Sequence, residues 1–177
     1  MDLELSADQL ELRDNIRSVL EGACGRAVVR DIYEGTGTAD RLWEQMVELY
    51  WPALSVPEDQ GGLGLGFVEV ALLAEELGRV TAPGPLFATT SQLTPMLLEA
   101  RAADVLAAVA EGKRTGSLAI AEAGRWSRTA LTTTATCTGD TWTLTGAKTD
   151  VVAGASVDCF AVTAVDEASG EQGAFLV

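Results

Sequence analysis

The sequence predicts an α+β protein, with an N-terminal all-helical domain at residues 1–115 and a small antiparallel β domain at residues 116–177. In the first part, apolar residues recur at helical spacing. In the second part, threonine and valine become frequent and apolar residues alternate with polar ones, as they do in strands. The 177 residues are 47% hydrophobic and 21% charged, which is the composition of a folded globular protein.

The first helix is predicted to begin close to Ala7. Ser6 is followed three positions later by Gln9, and this pair forms a capping-box pattern in which each side chain bonds the other residue's backbone N–H. One face of the helix is apolar and carries Leu12, Ile16, Val19, Leu20 and Ala23. We therefore expect that face to pack against the core.

A weaker second helix is predicted around residues 25–33, and a third helix follows it. Thr38 or Asp40 is expected to cap the third helix, because both side chains accept hydrogen bonds from backbone N–H groups of a first turn. The apolar side of this helix carries Leu42, Trp43, Met46, Val47 and Tyr50, a stripe typical of a core-facing helix.

The segment "FVEVALLAEELG", residues 67–78, is apolar almost all round until its last turn. This pattern predicts a fourth helix that is buried on most sides and ended by Gly78. Glu75 and Glu76 are candidates for a carboxylate pair in acid–base chemistry. Because adjacent helix positions point about a third of a turn apart, a solvated face or an ion pair with Arg79 is favoured.

Two more helices are predicted at residues 86–99 and 102–111, after the stiff turn "TAPGP" and with little more than Arg101 between them. The glycine-rich stretch "LSVPEDQGGLGLG", residues 54–66, is interpreted as a connector that lets the next helix pack closely. It is a weak candidate for a phosphate-binding loop, because no lysine follows its glycines.

Three strands are predicted in "TALTTTATCTG", "TWTLTGAKT" and "CFAVTAV", and "TGD" between the first two fits a tight hairpin. The closing run "GAFLV" is also strand-like. We expect the sheet either to be cut short at this run or to be completed by another segment.

The net charge excludes several classes of partner. Twenty-six acidic and twelve basic residues give a formal charge of -14, which repels nucleic acids and anionic membrane surfaces. The beginning "MDLELSADQL" is acidic and amphipathic, unlike a signal peptide, and no apolar run is long enough to cross a bilayer. The expected location is the cytoplasm.

Cys24, Cys137 and Cys159 lie far apart, and the sequence has no histidine. This pattern predicts buried structural thiols and no metal site. Without histidine, Ser-His-Asp and Cys-His nucleophile arrangements cannot form in this chain. Any acid or base must therefore be a carboxylate or come from elsewhere.

Three motifs in a fixed order resemble the acyl-CoA dehydrogenase family: "PEDQGGLGLG" (57–66), "AEELGR" (74–79) and "WTLTGAK" (142–148). The resemblance covers essentially the whole chain. It implies an N-terminal helical domain, a middle β domain and a C-terminal four-helix domain, of which the last is absent from this chain. It also implies FAD as cofactor, an acyl-CoA as substrate, and association into a homo- or hetero-oligomer with another acyl-CoA dehydrogenase subunit.

In this family a carboxylate removes a proton alpha to the thioester carbonyl while a hydride leaves the beta carbon for the flavin. The resemblance implies that the base lies in the C-terminal helical domain, so no catalytic residue is assigned here. Ala119, Ala121, Glu122 and Val152 match cofactor-binding positions, and Ser127 matches a position that contacts the substrate.

The chain departs from the family at two flavin-binding elements. A Thr-Glu-Pro element is replaced by Ala121, Glu122 and Ala123, so the first hydroxyl is lost. An aromatic, an aliphatic and a hydroxyl residue are replaced by Asp150, Val151 and Val152. These changes resemble those of atypical subunits in heteromeric actinobacterial enzymes of steroid side-chain degradation.

Two hypotheses follow. In the first, the chain is part of an FAD-dependent acyl-CoA dehydrogenase that acts on the alpha,beta bond of an acyl-CoA in fatty-acid or steroid side-chain β-oxidation. In the second, it is a non-catalytic structural and interaction subunit with a degenerate flavin site that supports a catalytic partner. A helical protein-binding module unrelated to flavins is a third, more distant hypothesis.

Overall fold

The computed structural model describes residues 4–177. Its helices, in chain order, are α1 (Ala7–Ala23), α2 (Arg26–Tyr33), α3 (Asp40–Glu48), α4 (Phe67–Val80), α5 (Leu86–Ala88), α6 (Thr94–Glu99) and α7 (Ala103–Ala110). A π-helical segment (Thr89–Leu93) joins α5 to α6, and two short 3-10 turns occur at Trp51–Ala53 and Glu58–Gln60. The predicted helical character of the first part is confirmed.

The predicted start of α1 is confirmed by its cap. The Gln9 N–H donates to Ser6 Oγ at 3.2 Å, and the Ser6 N–H donates to Gln9 Oε1 at 3.0 Å. This reciprocal pair satisfies two backbone donors that the helix leaves without an intrahelical partner. The predicted apolar face is also confirmed, since Ile16 and Leu20 are fully buried.

The predicted cap of α3 is wrong. The N-cap residue is Ala39, with no side-chain hydrogen bond, while Asp40 is the first residue of the helix. At that position the carboxylate interacts with the positive end of the helix dipole instead of capping it.

The predicted end of α4 is also wrong, because α4 continues past Gly78 to Val80 and ends at Thr81 with φ 55°. The extra residues are held by tertiary contacts: Val80 packs on the core, and Arg79 pairs with Glu76.

Two hydrophobic clusters form the core. The first lies among α1, α3 and α4 and contains Ile16, Leu20, Leu42, Met46, Leu73 and Leu77, with Trp51 and Leu54 from the following turn. The second joins α6 and α7 to the sheet and contains Leu93, Leu97, Leu106, Val109, Cys159 and Ala161, with Ala53 and Val56. The segment 51–56 therefore supplies residues to both clusters.

The glycine-rich connector packs tightly against this segment. A Cβ atom on Gly62 would lie 2.0 Å from the carbonyl oxygen of Val56, a distance that no side chain tolerates. The Gly64 N–H donates to the same carbonyl at 2.8 Å. The glycines thus serve backbone packing, as the connector interpretation expects.

The strands are β1 (Gly116–Ala119), β2 (Thr134–Thr138), β3 (Thr141–Thr145), β4 (Cys159–Asp166) and β5 (Gln172–Leu176). They form one sheet in the order β1-β4-β2-β3, with β5 also paired to β4. The α+β class is confirmed, and so is the hairpin at Gly139, which has φ 63°.

The sheet is mixed, so the expectation of a purely antiparallel β domain is wrong. β4 runs parallel to both β1 and β2, whereas the β2–β3 and β4–β5 pairs are antiparallel. Parallel pairing requires a long connection between the strands. The residues between β1 and β4, which include the β2–β3 hairpin, supply that connection.

Burial of the cysteines differs in part from the prediction. Cys24 and Cys159 are buried, but Cys137 is exposed on β2, opposite Trp142 on β3.

Within residues 4–177 no helix is long and apolar enough to cross a membrane. The same residues contain no group of three or more side chains suited to hold a metal ion.

Candidate functional site

An ion pair joins the end of β1 to the segment after β3. Lys148 Nζ lies 2.6 Å from Glu122 Oε1, and both side chains are nearly buried. Lys148 Nζ also lies 3.1 Å from the hydroxyl of Thr163 on β4. The pair therefore ties together three parts of the β region.

Glu122 also binds the segment that leads into β2. Its Oε2 accepts hydrogen bonds from the backbone and hydroxyl of Thr132, and its Oε1 accepts them from the backbone and hydroxyl of Thr133. Burial acts to raise the pKa of Glu122, but Lys148, Thr133 and Thr132 outweigh it and hold the pKa well below its usual range. A carboxylate in this state positions the loop and is unsuited to act as a base at neutral pH.

Ala119 and Ala121, two of the predicted cofactor-binding residues, are buried at the carboxyl end of β1. The carbonyl of Ala121 accepts the Thr149 N–H at 2.9 Å. The carbonyl of Ala119 accepts the Thr163 hydroxyl at 3.5 Å. Both backbone acceptors are thus bonded within the chain.

Ser127, the predicted substrate-binding residue, lies in the loop after β1. Its Oγ lies 2.7 Å from Thr129 Oγ1 and accepts the Thr129 N–H at 3.1 Å. Nearby, the Gly124 N–H donates to Thr149 Oγ1 at 3.1 Å. The Gly124–Thr149 bond joins the loop after β1 to the segment after β3, whereas the Ser127 bonds lie within the loop.

Val152, in that second segment, lines an apolar cavity of about 630 Å³. The opposite walls come from α2, α4, α5 and the turn between α4 and α5, and they include Val29, Ile32, Ala74, Leu77, Gly78, Pro83 and Phe87. None of the described residues that line this cavity carries a carboxylate. The cavity suits an apolar group, and the ionisable side chain in its lining is the phenol of Tyr33, so a carboxylate base would have to come from elsewhere.

The predicted site residues fall into two places. Ala119, Ala121, Glu122 and Ser127 lie in or directly after β1, whereas only Val152 among the five lines the apolar cavity. Thr149 connects the two places, since it bonds to Ala121 and Gly124 and lies three positions before Val152.

The candidate carboxylate pair on α4 is separated by the fold. Glu75 is exposed, whereas Glu76 is fully buried between Arg17 at 2.6 Å and Arg79 at 2.7 Å. The hydrogen bond from Arg17 lowers the pKa of Glu76 to about 2 despite its burial, and Arg79 adds to the effect. Both alternatives that the sequence favoured occur: Glu76 forms the ion pair with Arg79, and Glu75 lies on the exposed face.

Several site residues were not singled out from the sequence. Thr132 and Thr133 were assigned to a strand, and their role as Glu122 donors carries no local signal. The cavity residues of α2 and α4 were assigned to helix packing. A signal could have come from Gly78, because a glycine in an otherwise apolar helix indicates close approach or open space beside the helix.

Comparison with known proteins identifies the family. A sequence profile described as "Acyl-CoA dehydrogenase, N-terminal domain" matches residues 6–112, more than half of the chain. The chain belongs to the acyl-CoA dehydrogenase family. The family resemblance inferred from the three motifs is therefore confirmed.

This chain is similar to several individual acyl-CoA dehydrogenases over part of their length. The chain is 32% identical over 112 residues to acyl-CoA dehydrogenase IpdE2 of Mycobacterium tuberculosis, covering 62% of this chain and 35% of the relative. A variant of the Tcur3481-Tcur3483 steroid ACAD superposes with a TM-score of 0.84 at 28% identity, covering 96% of this chain and 47% of that one. The ChsE4-ChsE5 complex of Mycobacterium tuberculosis shares the fold, with a TM-score of 0.84 at 23% identity over 100% of this chain and 48% of that one. The chain thus spans about half of the solved relatives and about a third of IpdE2.

Acyl-CoA dehydrogenases are FAD-dependent. Two of the predicted flavin-binding positions lack the side-chain groups that would bond a flavin ring. Ala121 and Val152 have no side-chain donor, and the Ala121 carbonyl already accepts the Thr149 N–H. Asp150, exposed and with φ 52°, adds a negative charge beside them.

Proposed function

We propose that this chain is part of an FAD-dependent acyl-CoA dehydrogenase and forms a wall of its acyl-group site. The reaction would be alpha,beta-dehydrogenation of an acyl-CoA thioester in fatty-acid or steroid side-chain β-oxidation. The apolar cavity beside Val152 carries this proposal, because it offers about 630 Å³ of hydrocarbon-lined space inside a family member. The catalytic carboxylate would come from residues outside the cavity lining described here, or from a partner subunit.

A cavity-blocking variant tests this role. Gly78 lines the cavity on α4, and no atom lies within 4 Å of the position its Cβ would take. Gly78→Leu should therefore fold and fill the cavity, with a gain in helix propensity. Binding of octanoyl-CoA and palmitoyl-CoA, measured by calorimetry, is expected to weaken in Gly78→Leu.

The matched control is Gly22→Leu on α1, where the Cβ position is equally open. This variant should bind both thioesters as the parent chain does. If Gly78→Leu binds them with unchanged affinity, the cavity does not hold the acyl group.

A second candidate function is favoured by the residues at the flavin positions. Ala121 and Val152 lack hydroxyls, and the polar groups around them are paired within the chain. These features support a non-catalytic structural subunit that assembles with another acyl-CoA dehydrogenase subunit. Two of the solved relatives, Tcur3481-Tcur3483 and the ChsE4-ChsE5 complex, are each named after two proteins. Such pairing fits a hetero-oligomeric role for this chain.

Flavin absorbance separates the two candidates. The purified chain would be examined alone and after co-expression with a neighbouring dehydrogenase subunit. A flavin band and turnover of an acyl-CoA by the chain alone, with an artificial electron acceptor, would exclude the structural role. A colourless chain that yields a yellow, active complex only with its partner would support it.

The two-domain division at residue 115 and a cytoplasmic location remain part of this proposal.

A further inference from the structure

Helix α2 forms one wall of the apolar cavity, but it is only loosely attached to the rest of the chain. It contributes Val29, Ile32 and Tyr33 to the cavity lining, and none of its eight residues is buried. The opposite wall on α4 is anchored by Leu73 and Leu77, which are both buried. The cavity therefore has one firmly packed wall and one weakly packed wall.

The hydrogen bonds of α2 are local. The Val29 N–H donates to the Gly25 carbonyl at 3.2 Å, and the Thr36 N–H donates to the Asp31 carbonyl at 2.8 Å. Within residues 4–177, no side chain of α2 forms a hydrogen bond or an ion pair. Val29 packs on the first hydrophobic cluster. Helix α2 is thus held by apolar contacts, and its displacement would break no side-chain hydrogen bond.

Open space borders α2 on other sides as well. Val28 lines a second cavity of about 630 Å³ between α1 and α3. Ile32 also lines a third cavity of about 600 Å³, which reaches Trp43 on α3. Close packing normally prevents a buried element from moving, because every displacement meets other atoms. The cavities around α2 remove much of this restraint.

A glycine lies at each end of α2. Gly25 is the N-cap residue and supplies no side-chain hydrogen bond to the helix. Gly35 follows the helix after one further residue and has φ 74°. Among the described residues, no atom lies within 4 Å of the position that a Cβ would take on either glycine. Glycines in open surroundings accommodate large changes in φ and ψ, as hinge residues must.

We propose that α2 is a hinged lid on the apolar cavity and moves as a unit while α1 and α4 stay folded. Tyr33 borders the cavity but retains 92% of its accessible surface. Closure of the lid on an apolar occupant would bury this ring together with Val29 and Ile32, and such burial is favourable. That the occupant is an acyl group rests on the proposed function, whereas the motion itself depends only on the packing of α2.

Hydrogen exchange of the full chain, measured by mass spectrometry, tests the motion without a ligand. The protection factor of an amide is the ratio of its exchange rate in an unstructured chain to its measured rate. Protection factors in α2 should be at least about tenfold lower than in α1 and α4, because a weakly packed segment opens without global unfolding. Equal protection of α2 and α4 would overturn the proposal.

Gly78→Leu places an apolar group in the cavity without any ligand. Its side chain would extend from α4 towards Val29 and Ile32 and give the lid a surface to close on. Protection factors in α2 should therefore rise at least about threefold. Gly78→Ala is the matched control, since it gives α4 a similar gain in helix propensity but adds only a methyl group with no described atom within 4 Å. Equal protection of α2 in these two variants would overturn the proposal.

The hinge is tested by a second variant, which does not alter the cavity lining. Gly25→Ser keeps the extended backbone of the N-cap, φ -69° and ψ 161°, and adds a side-chain oxygen that accepts a hydrogen bond from the first turn. Protection factors in α2 should rise about twofold, while those in α1 and α4 stay unchanged. A uniform change in all three helices would contradict independent motion of the lid.

Octanoyl-CoA separates the lid from the proposed acyl site. If the acyl group occupies the cavity, saturating octanoyl-CoA should protect α2 as Gly78→Leu does, whereas coenzyme A, which has no acyl chain, should not. Protection of α2 by Gly78→Leu but not by bound octanoyl-CoA would retain the lid and reject the acyl site. Absence of protection in Gly78→Leu would reject the lid, whether or not octanoyl-CoA binds.

Discussion

Lys148 Nζ lies 2.6 Å from Glu122 Oε1, although the two residues are 26 positions apart in the chain. The pair links the carboxyl end of β1 to the segment that carries Val152. It also holds Thr132 and Thr133, which lead into β2, through the oxygens of Glu122. Formation of this pair and folding of the β region are therefore coupled.

Removal of one partner of this pair should destabilise the protein strongly. Lys148→Met leaves the Glu122 carboxylate nearly buried and without its cation, which typically costs about 3–5 kcal/mol. The free energy of unfolding from urea denaturation measures the effect. The double variant Glu122→Gln/Lys148→Met should recover part of the loss, because it removes the unpaired charge. Glu122→Gln alone completes the cycle. If the loss in the double variant equals the loss in Lys148→Met plus the loss in Glu122→Gln, the two residues are not coupled.

Glu76 should make stability depend on acidic pH. Its pKa is lowered to about 2 in the folded state from an ordinary value near 4.5. A carboxylate with a lowered pKa contributes stability above its unfolded pKa and loses it as pH falls through the folded pKa. Stability should therefore decrease between about pH 4.5 and pH 2. Measured at several pH values in this window, Glu76→Gln should show a shallower decrease than the parent chain.

Glu75→Gln is the control for this measurement, because Glu75 is adjacent in sequence but exposed. It should retain the parent pH dependence. Equal slopes for Glu76→Gln and the parent chain would contradict the role of Glu76.

Restoring a hydroxyl at residue 152 should improve flavin binding. Val152→Thr keeps the side-chain shape and adds one hydrogen-bonding group, worth about 0.5–1.5 kcal/mol, or roughly a two- to tenfold gain in affinity. Titration with FAD, followed by quenching of flavin fluorescence, measures it. Val151→Thr is the neighbouring control and should not bind FAD more tightly. If the two variants behave alike, the missing hydroxyl at residue 152 does not limit flavin binding.

Thiol labelling should distinguish the three cysteines. Cys137 is exposed, whereas burial raises the pKa of Cys24 and of Cys159. Because the thiolate is the reactive form, iodoacetamide should modify Cys137 first in the native protein. Mass spectrometry after short exposure should find one label, and none in Cys137→Ser. Rapid labelling of Cys24 or Cys159 in the folded chain would contradict this prediction. It would show that the hydrophobic cluster around the labelled cysteine is accessible to solvent.

Local signals in the sequence predicted local features. The Ser6–Gln9 cap and the Glu76–Arg79 pair lie within one helical turn, so spacing alone identified them. Arg17 reaches Glu76 from 59 positions away, and no local pattern reports such a contact. The cap of α3 was wrong because residues that favour a capping position do not fix which position the helix uses.

The same distinction explains the sheet and the site. Alternation identified β2, β3 and β4 but not their partners, so the parallel pairing of β4 with β1 was missed. Cys137 was expected to be buried like the other cysteines, but it lies in the exposed part of β2, two positions beyond buried Ala135. The flavin positions were located by resemblance, and the hydrogen bond that occupies the Ala121 carbonyl comes from Thr149, a distant residue that no local pattern reports.

β4 pairs with β1, β2 and β5, so it organises nearly the whole sheet. During synthesis on the ribosome, β1 emerges about forty residues before its partner on β4. Until then β1 presents unpaired backbone groups, which are prone to wrong pairing with other chains. The helices, whose contacts are more local, can fold earlier and shield β1 through the π-helical segment that contacts it. Newly made chains should therefore depend most on chaperones in the interval between the synthesis of β1 and that of β4.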